Sequence, residues 1–239
     1  MIYQVVVVAA GRGQRMEAAQ NKVLLPLKGT PVIVHTLRVF EEDPDCAGIV
    51  LVVQSAERER FRLLVEKERL TKVRSFASGG KERQESVYNG LLKIEGSPDQ
   101  IVLIHDGARP FISRDKIKAV AEAAGSLGAA LLAVPVKDTV KQVSGDRVKQ
   151  TLKRESLWAA QTPQAFRLST IILAHQAAHH DDGAFQVTDD ASLAEQVGLP
   201  VQIVRGSYKN IKLTTPEDMF IAEKFLEEEE KENENRTWF

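Results

Sequence analysis

MIYQVVVVAAGRGQRM (Met1–Met16) decides the reading of the fold. Val5 to Val8 run without a polar break and lead directly into a loop holding Gly11 and Gly13. A β-branched run that does not alternate with polar residues is covered on both faces, as strands of parallel sheets are. The same pattern recurs at Ile49–Val53, Ile101–Ile104, Ala130–Val134 and Val201–Val204. Helical patterns fall between these runs, at Pro31–Glu41, Ala56–Lys67, Glu82–Leu92 and Arg114–Ala124. Pro31 suits a first helical turn and Ser113 an N-cap. Repeated β-α alternation predicts an open, doubly wound α/β sheet, whose ligands bind at the carboxyl ends of the strands.

The remaining organisation follows from composition. The chain has 239 residues, 32 basic and 33 acidic, for a formal net charge of −1. That balance gives no general attraction to nucleic acid or to an anionic membrane, so any anion site has to be a local cluster. A lone cysteine, Cys46, excludes an internal disulfide. No apolar run approaches the ~20 residues of a membrane span, and the first valines read as a strand rather than a signal peptide. A soluble, cytoplasmic protein is expected. Residues 1–225 read as one domain. Within it, Asp138–Trp158 holds two alternating runs around Ser144-Gly145-Asp146, the pattern of a β-hairpin. So polar a hairpin does not belong inside the sheet, and a projecting dimerisation arm is expected. Residues 226–239 are expected to form a charged, fraying end.

The glycine loop is not a dinucleotide fingerprint, because Met16 stands where the third glycine of G-x-G-x-x-G would be. This speaks against a nicotinamide-dependent oxidoreductase. It also lacks the G-K-[ST] of a Walker A loop. What it has is cations: Arg12 and Arg15 in the loop and Lys22 just after it. A triphosphate needs such concentrated positive charge, and so does a transition state at phosphorus.

Four further stretches carry chemistry. GGKERQESVYNGL (Gly79–Leu91) places two glycines and Ser86 at a strand-to-helix turn, where backbone can approach a base. IVLIHDGARPF (Ile101–Phe111) ends a buried strand in His105-Asp106, where a carboxylate can accept substrate hydroxyls or bind Mg²⁺, with Arg109 close by. KRESLWAAQTPQAF (Lys153–Phe166) and NIKLTTPED (Asn210–Asp218) carry Arg154 and Lys212. His175, His179 and His180, near Asp181 and Asp182, have metal-like spacing but read as a polar helix end.

G-x-G-x-R-M followed by K-x-L-L-P-L-x-G-x-P-V-I resembles the signature of sugar-nucleotide pyrophosphorylase-type nucleotidyltransferases. With GGxxRxxSV, HDGARP, RESLWAAQTPQ, TDDAS and NIKLT, the stretch from Ile2 to Phe225 resembles the 2-C-methyl-D-erythritol 4-phosphate cytidylyltransferase family. Gly107 stands where some relatives have Ala. The resemblance implies a Rossmann-like nucleotidyltransferase fold: a mostly parallel sheet with helices on both faces and a projecting hairpin. It implies transfer of CMP from CTP to a polyol phosphate, with Mg²⁺ and release of pyrophosphate. It further implies that Arg15 and Lys22 stabilise the transition state and that Arg154 and Lys212 hold the substrate phosphate. Ala9, Ala10, Gly11 and Gly13 would line CTP, with Gly80 and Ser86 at its cytosine and ribose end. Asp106, Ala108 and Arg109 would border the substrate hydroxyls. The arm would cross to a second subunit, so that Arg154 and Thr139 complete the partner's site in a homodimer. Mg²⁺ ligands are not assigned. The neighbouring reading is a ribitol-5-phosphate cytidylyltransferase, which HDGARP and RESLW fit less well. A noncatalytic nucleotide-binding regulator is opposed by the intact set Arg15, Lys22, Arg154 and Lys212.

Overall fold

The valine run forms strand β1 (Tyr3–Val8). Val5, Val6 and Val7 are fully buried because both faces of the strand are covered. Val5 and Val7 join one apolar layer and Val6 the other. A computed structural model describes residues 1–11, 21–180 and 188–236; Arg12, Gly13, Arg15, Met16, Asp181 and Asp182 lie outside them.

β1 is parallel to β4 (Cys46–Val53) on one side and to β6 (Ile101–Asp106) on the other. β5 (Val73–Ser78) extends the sheet beyond β4. At the opposite end β7 (Ala129–Pro135) and β11 (Gln202–Arg205) are parallel to each other. With β10 at Trp158–Arg167, the full order is β11-β7-β10-β6-β1-β4-β5. Helices α1 (Val32–Glu41), α2 (Arg58–Lys67) and α4 (Arg114–Leu127) bury their apolar stripes against one face. α3 (Arg83–Leu91), α5 (Leu168–His180) and α6 (Asp190–Gln196) cover the other. Among the described residues, no helix is long and apolar enough to cross a membrane.

The mostly parallel sheet is as expected, with one addition. β10 (Trp158–Arg167) inserts antiparallel between β6 and β7. Pro163 hides it in the sequence, since proline cannot donate to a ladder and argues against a central strand. The strand accommodates it by a register break between Ala160 and Gln164 in its pairing with β7. A two-stranded ribbon, β2 (Pro26–Leu27) and β3 (Thr30–Pro31), turns through Lys28 and Gly29, both at positive φ, and leads into α1. Ser113 stands at the N-cap of α4, but its hydroxyl makes no capping bond.

The hairpin forms as its pattern predicts. β8 (Lys141–Ser144) pairs with β9 (Arg147–Thr151) around Gly145, whose φ is +54°. All nine strand residues are exposed, and Val143 faces Val148 across the ladder with both 60% exposed. The last helix, α7 (Pro216–Arg236), continues through position 225 without a break. The charged end therefore begins as helix, and its Glu228 and Glu230 pair with Lys209 and Lys28.

Candidate active site

A cleft of about 670 Å³ opens at the carboxyl ends of β1 and β6, the place an α/β sheet reserves for ligands. Ala9, Ala10, Gly11, Lys22, Gly80, Ser86, Asp106, Ala108 and Lys212 all line it. Nine sequence-predicted residues, drawn from five separate stretches, therefore meet in one place.

Backbone anchors fix the start of the site. The Ala9 amide donates to the Val52 carbonyl at 2.8 Å, and Gln54 Nε2 donates to the Ala10 carbonyl at 2.6 Å. Asn21 is buried and spans both ends of the glycine loop. Its Nδ2 donates to the Ala9 carbonyl at 2.7 Å, while its Oδ1 accepts from the Val23 amide at 3.4 Å, capping the short 3-10 turn Lys22–Leu24. Lys22 thus leaves a turn that is tied directly to the end of β1. Asn21 and Gln54 carry no expected role in the sequence; the position of Asn21 next to Lys22 is the only local signal.

The second glycine pair forms the facing wall. The Gly79 amide donates to the Val53 carbonyl at 2.8 Å, and a Cβ at Gly79 would lie 2.4 Å from the Ala10 Cβ. Only glycine allows that approach. Ser86 Oγ accepts from the Gly80 amide and donates to the Glu82 carbonyl, both at 2.9 Å. Its single hydroxyl proton is therefore committed to the loop, and it meets a ligand, if at all, as an acceptor.

Asp106 organises the floor. It is 6% exposed and lies 2.9 Å from Lys212 Nζ, 3.4 Å from Arg109 Nε and 3.5 Å from Arg83 Nε. Burial alone would raise its pKa. The charges of Arg83, Lys212 and Arg109 outweigh that and hold the carboxyl well below the usual carboxylate range. Arg109 also donates through Nη1 to the Asn210 carbonyl at 2.8 Å, and the Leu213 amide donates to the Ala108 carbonyl at 2.8 Å. Residues 108–109 and 210–213 are thereby locked together, which carries Lys212 to Asp106. Arg109 accordingly buttresses the loop.

His105 supports this turn from below. Thr162 Oγ1 accepts from the Asp106 amide at 3.0 Å, so its proton goes to His105 Nδ1 at 3.1 Å. The ring proton then sits on Nε2 and is donated to the Arg109 carbonyl at 3.1 Å. Burial pushes the His105 pKa down to about 4, so the ring is neutral near pH 7. Arg83 and Thr162 are further contributors that the sequence did not single out.

Two predicted residues lie elsewhere. Arg154 is exposed at the base of the hairpin and donates through Nη1 to the Lys137 carbonyl at 2.8 Å; Thr139 is exposed on the same segment. Neither lines the cleft of its own chain. Gly13 and Arg15 lie outside the described residues. His175 is not at a polar helix end: it is fully buried, stacks on Tyr88 and lies 3.4 Å from Asp190. Among the described residues no three His, Cys, Asp or Glu side chains cluster as a metal cage. Among the described residues two carboxylates line the cleft, Asp106 and Glu82, and Asp106 is already shared by three cations. This donor set does not fit a resident divalent ion, which favours several oxygen ligands of its own.

Comparison with known proteins agrees with this geometry. Residues 3–228 match the family model for IspD, 2-C-methyl-D-erythritol 4-phosphate cytidylyltransferase. The enzyme of that name from Geobacillus kaustophilus is 54% identical over 226 residues, covering 95% of this chain and 97% of its own. The Bacillus velezensis enzyme is 51% identical over 230 residues, covering 96% and 97%. Among solved structures, 4-diphosphocytidyl-2C-methyl-D-erythritol synthase from Anaerococcus prevotii superposes with a TM-score of 0.80 at 30% identity, covering 95% of this chain and 96% of that one. The 2-C-methyl-D-erythritol 4-phosphate cytidylyltransferase of Francisella tularensis gives 0.78 at 33%, covering 93% and 98%. A match of this extent, on a fold and cleft of this form, places the chain in the 2-C-methyl-D-erythritol 4-phosphate cytidylyltransferase family.

Proposed function

We propose that this chain transfers a cytidylyl group from CTP to 2-C-methyl-D-erythritol 4-phosphate, releasing pyrophosphate and forming 4-diphosphocytidyl-2-C-methyl-D-erythritol for isoprenoid precursor synthesis. The observation that carries the reading is the convergence of Lys22, Lys212 and Asp106 on one cleft at the sheet's carboxyl edge, in a chain of this family. Both reactants are anions and repel. Cations at separate points offset that repulsion and align the attacking phosphate oxygen with the α-phosphorus. In this reading Arg15 and Lys22 neutralise charge developing on the triphosphate, and Lys212 holds the attacking phosphate. Asp106 keeps Lys212 in place and accepts from substrate hydroxyls. Ala9, Ala10, Gly11 and Gly13 offer close backbone contact to the nucleotide, while Gly80 and Ser86 shape its base and ribose end. A phosphate oxygen is already ionised near neutral pH, so no general base is required. Mg²⁺ enters as the CTP complex, which suits the absence of a protein cage among the described residues.

The same reading makes the hairpin a dimer arm. Arg154 and Thr139 sit on it and do not line their own cleft, and an apolar cross-strand pair, Val143 and Val148, stands exposed on it. Crossing to a second copy would bring Arg154 and Thr139 to the partner's site. Multiply charged metabolites as substrates fit a cytoplasmic enzyme.

The test is a coupled assay of pyrophosphate release. Release from CTP that requires both 2-C-methyl-D-erythritol 4-phosphate and Mg²⁺ is expected. Release with ribitol 5-phosphate in its place would move the assignment to the neighbouring activity. Nucleotide binding without release for any polyol phosphate would make the protein a regulator.

A further inference from the structure

At the wall of the cleft, one arginine joins two carboxylates that are distant in sequence. Arg83 opens α3 and follows the Gly79–Glu82 wall. Its Nη1 lies 2.7 Å from Asp190 Oδ2, and its Nε lies 3.5 Å from Asp106 Oδ1. Asp190 is 1% exposed and is not among the residues that line the cleft. A carboxylate buried this far requires a cation, and Arg83 is its closest one. His175 Nε2 stands on the other side, 3.4 Å from Oδ1.

Asp190 is itself firmly placed. The preceding Asp189 accepts from the Ser192 amide at 3.0 Å as the cap of α6, and accepts from Gln164 Nε2 at 2.7 Å. Gln164 Oε1 accepts from the Ala191 amide at 2.9 Å. Gln164 belongs to β10, the strand paired with β6, and faces Ile104 two residues before Asp106. The start of α6 is thus fixed to the sheet close to Asp106, and Arg83 spans the gap between them.

We propose that Asp190 is a positioning residue of the reaction: by gripping Arg83 from behind, it fixes Arg83 against Asp106 and so fixes the Asp106 carboxylate toward the polyol. Asp190 acts only through Arg83 and touches neither reactant. The inference rests on the function proposed above, in which Asp106 receives substrate hydroxyls.

The experiment compares wild type, Asp190→Asn, Arg83→Gln and the double variant. KM for the polyol phosphate, KM for CTP, kcat and thermal midpoint are measured for each. Asp190→Asn is expected to raise the polyol phosphate KM by about tenfold, with CTP KM and kcat within about twofold. The double variant is expected to match Arg83→Gln within about twofold, because the two residues act in series. A fall in thermal midpoint alone, with the polyol phosphate KM unmoved, would overturn the proposal, as would multiplicative effects in the double variant. Should Asp190→Asn fail to fold, Asp190→Glu, which keeps the negative charge but shifts the carboxylate that grips Arg83, decides in its place. A raised polyol phosphate KM in it supports the relay, and a wild-type value refutes it. Wild-type turnover, run in parallel, tests the proposed function separately. If the wild type fails to turn over, a crystal structure of Asp190→Asn reads the relay directly. Displacement of the Arg83 guanidinium relative to Asp106 by about 1 Å or more is expected, and an unmoved guanidinium would overturn it.

Discussion

Two glycines in the same cleft should respond in opposite ways to an added methyl group. At Gly79 a Cβ would meet the Ala10 Cβ at 2.4 Å and Gln54 Nε2 at 3.2 Å. Ordinary carbon contacts begin near 3.4 Å, so Gly79→Ala must part these two walls by about 1 Å. The Ala10 side cannot yield freely, because Gln54 holds its carbonyl and the Gly79 amide is bonded to β4. Overpacking of this kind costs about 1–3 kcal/mol, or a thermal midpoint lower by roughly 2–12 °C for a chain this size. The displacement falls between the nucleotide-facing walls. A 1 Å misplacement there is expected to lower kcat/KM by about a hundredfold, about 2.7 kcal/mol of transition-state stabilisation.

At Gly11 no atom of the described residues lies within 4 Å of an added Cβ. Gly11→Ala should leave the thermal midpoint within about 2 °C of wild type, as for a substitution without a clash. If the nucleotide occupies the space in front of Gly11, the methyl group meets the ligand and CTP KM rises by about tenfold. Differential scanning calorimetry with pyrophosphate-release kinetics separates the two effects. A wild-type midpoint and kcat/KM for Gly79→Ala would refute the tight approach of the walls. An unchanged CTP KM for Gly11→Ala would show that the nucleotide does not lie against this loop.

Three further outcomes follow from the charges. Asp106→Asn leaves Arg83, Arg109 and Lys212 around a neutral amide, and a loss of about 2–4 kcal/mol in urea unfolding is expected together with loss of turnover; retained stability would mean that the three cations do not depend on Asp106. His105 is held neutral by burial with a pKa of about 4, below its unfolded value of about 6.5. The unfolded chain therefore binds the extra proton between these values, and stability falls as pH drops from about 6.5 to about 4, by at most roughly 3 kcal/mol. His105→Gln should flatten that slope, leaving a residue of the same sign from His35, whose pKa burial also lowers; an unchanged profile would contradict the buried neutral ring. Asp106 acts below this window, because the stability due to its depressed pKa is complete above about pH 4 and is lost as pH falls through its lower folded value. For the arm, mixing inactive Arg15→Ala and Arg154→Ala proteins should restore part of the activity through mixed dimers, and failure despite proven subunit exchange would place Arg154 in its own chain's site.

The sequence revealed most where structure is local. Val5–Val8 reads as a doubly covered strand because its burial needs no partner to be recognised, and the Ser144–Arg147 turn announces the hairpin in four residues. The cleft lining was legible for a related reason: Ala9–Gly11, Gly80 and Asp106 all sit at or just beyond strand ends, where a parallel sheet must present them. β10 was hidden because Pro163 contradicts the local rule for a central strand, and only pairing with β6 and β7 overrides it. The Arg83–Asp190 pair was hidden for a topological reason. Its members are 107 positions apart and meet only once α3 and α6 pack on the same face of the sheet. His175 misled in the opposite direction: with two nearby histidines and two aspartates it read as a polar helix end, while tertiary packing buries it against Tyr88.

A carboxylate at the floor of a site for two anions needs a physical reason. Asp106 would repel a phosphate placed next to it, yet it lies within 3.5 Å of three cationic side chains. Without it, Arg83, Arg109 and Lys212 would repel one another in a partly desolvated space and turn toward solvent. With it, they converge: Arg109 is held by the Asn210 carbonyl and Arg83 by Asp190, while the Lys212 side chain, 36% exposed, and the Arg83 side chain, 29% exposed, both line the cleft. One negative charge therefore converts three scattered positive charges into a fixed floor, of which the Lys212 ammonium group is the most exposed. Replacing Lys212 with Met, which preserves most of the side-chain volume, should then remove the outward charge while leaving Arg83 and Arg109 in place. A large loss of turnover with a thermal midpoint changed by only about 1–2 °C is the expected result, and a collapse of stability comparable to that of Asp106→Asn would show that Lys212 holds the floor instead of serving the reactants.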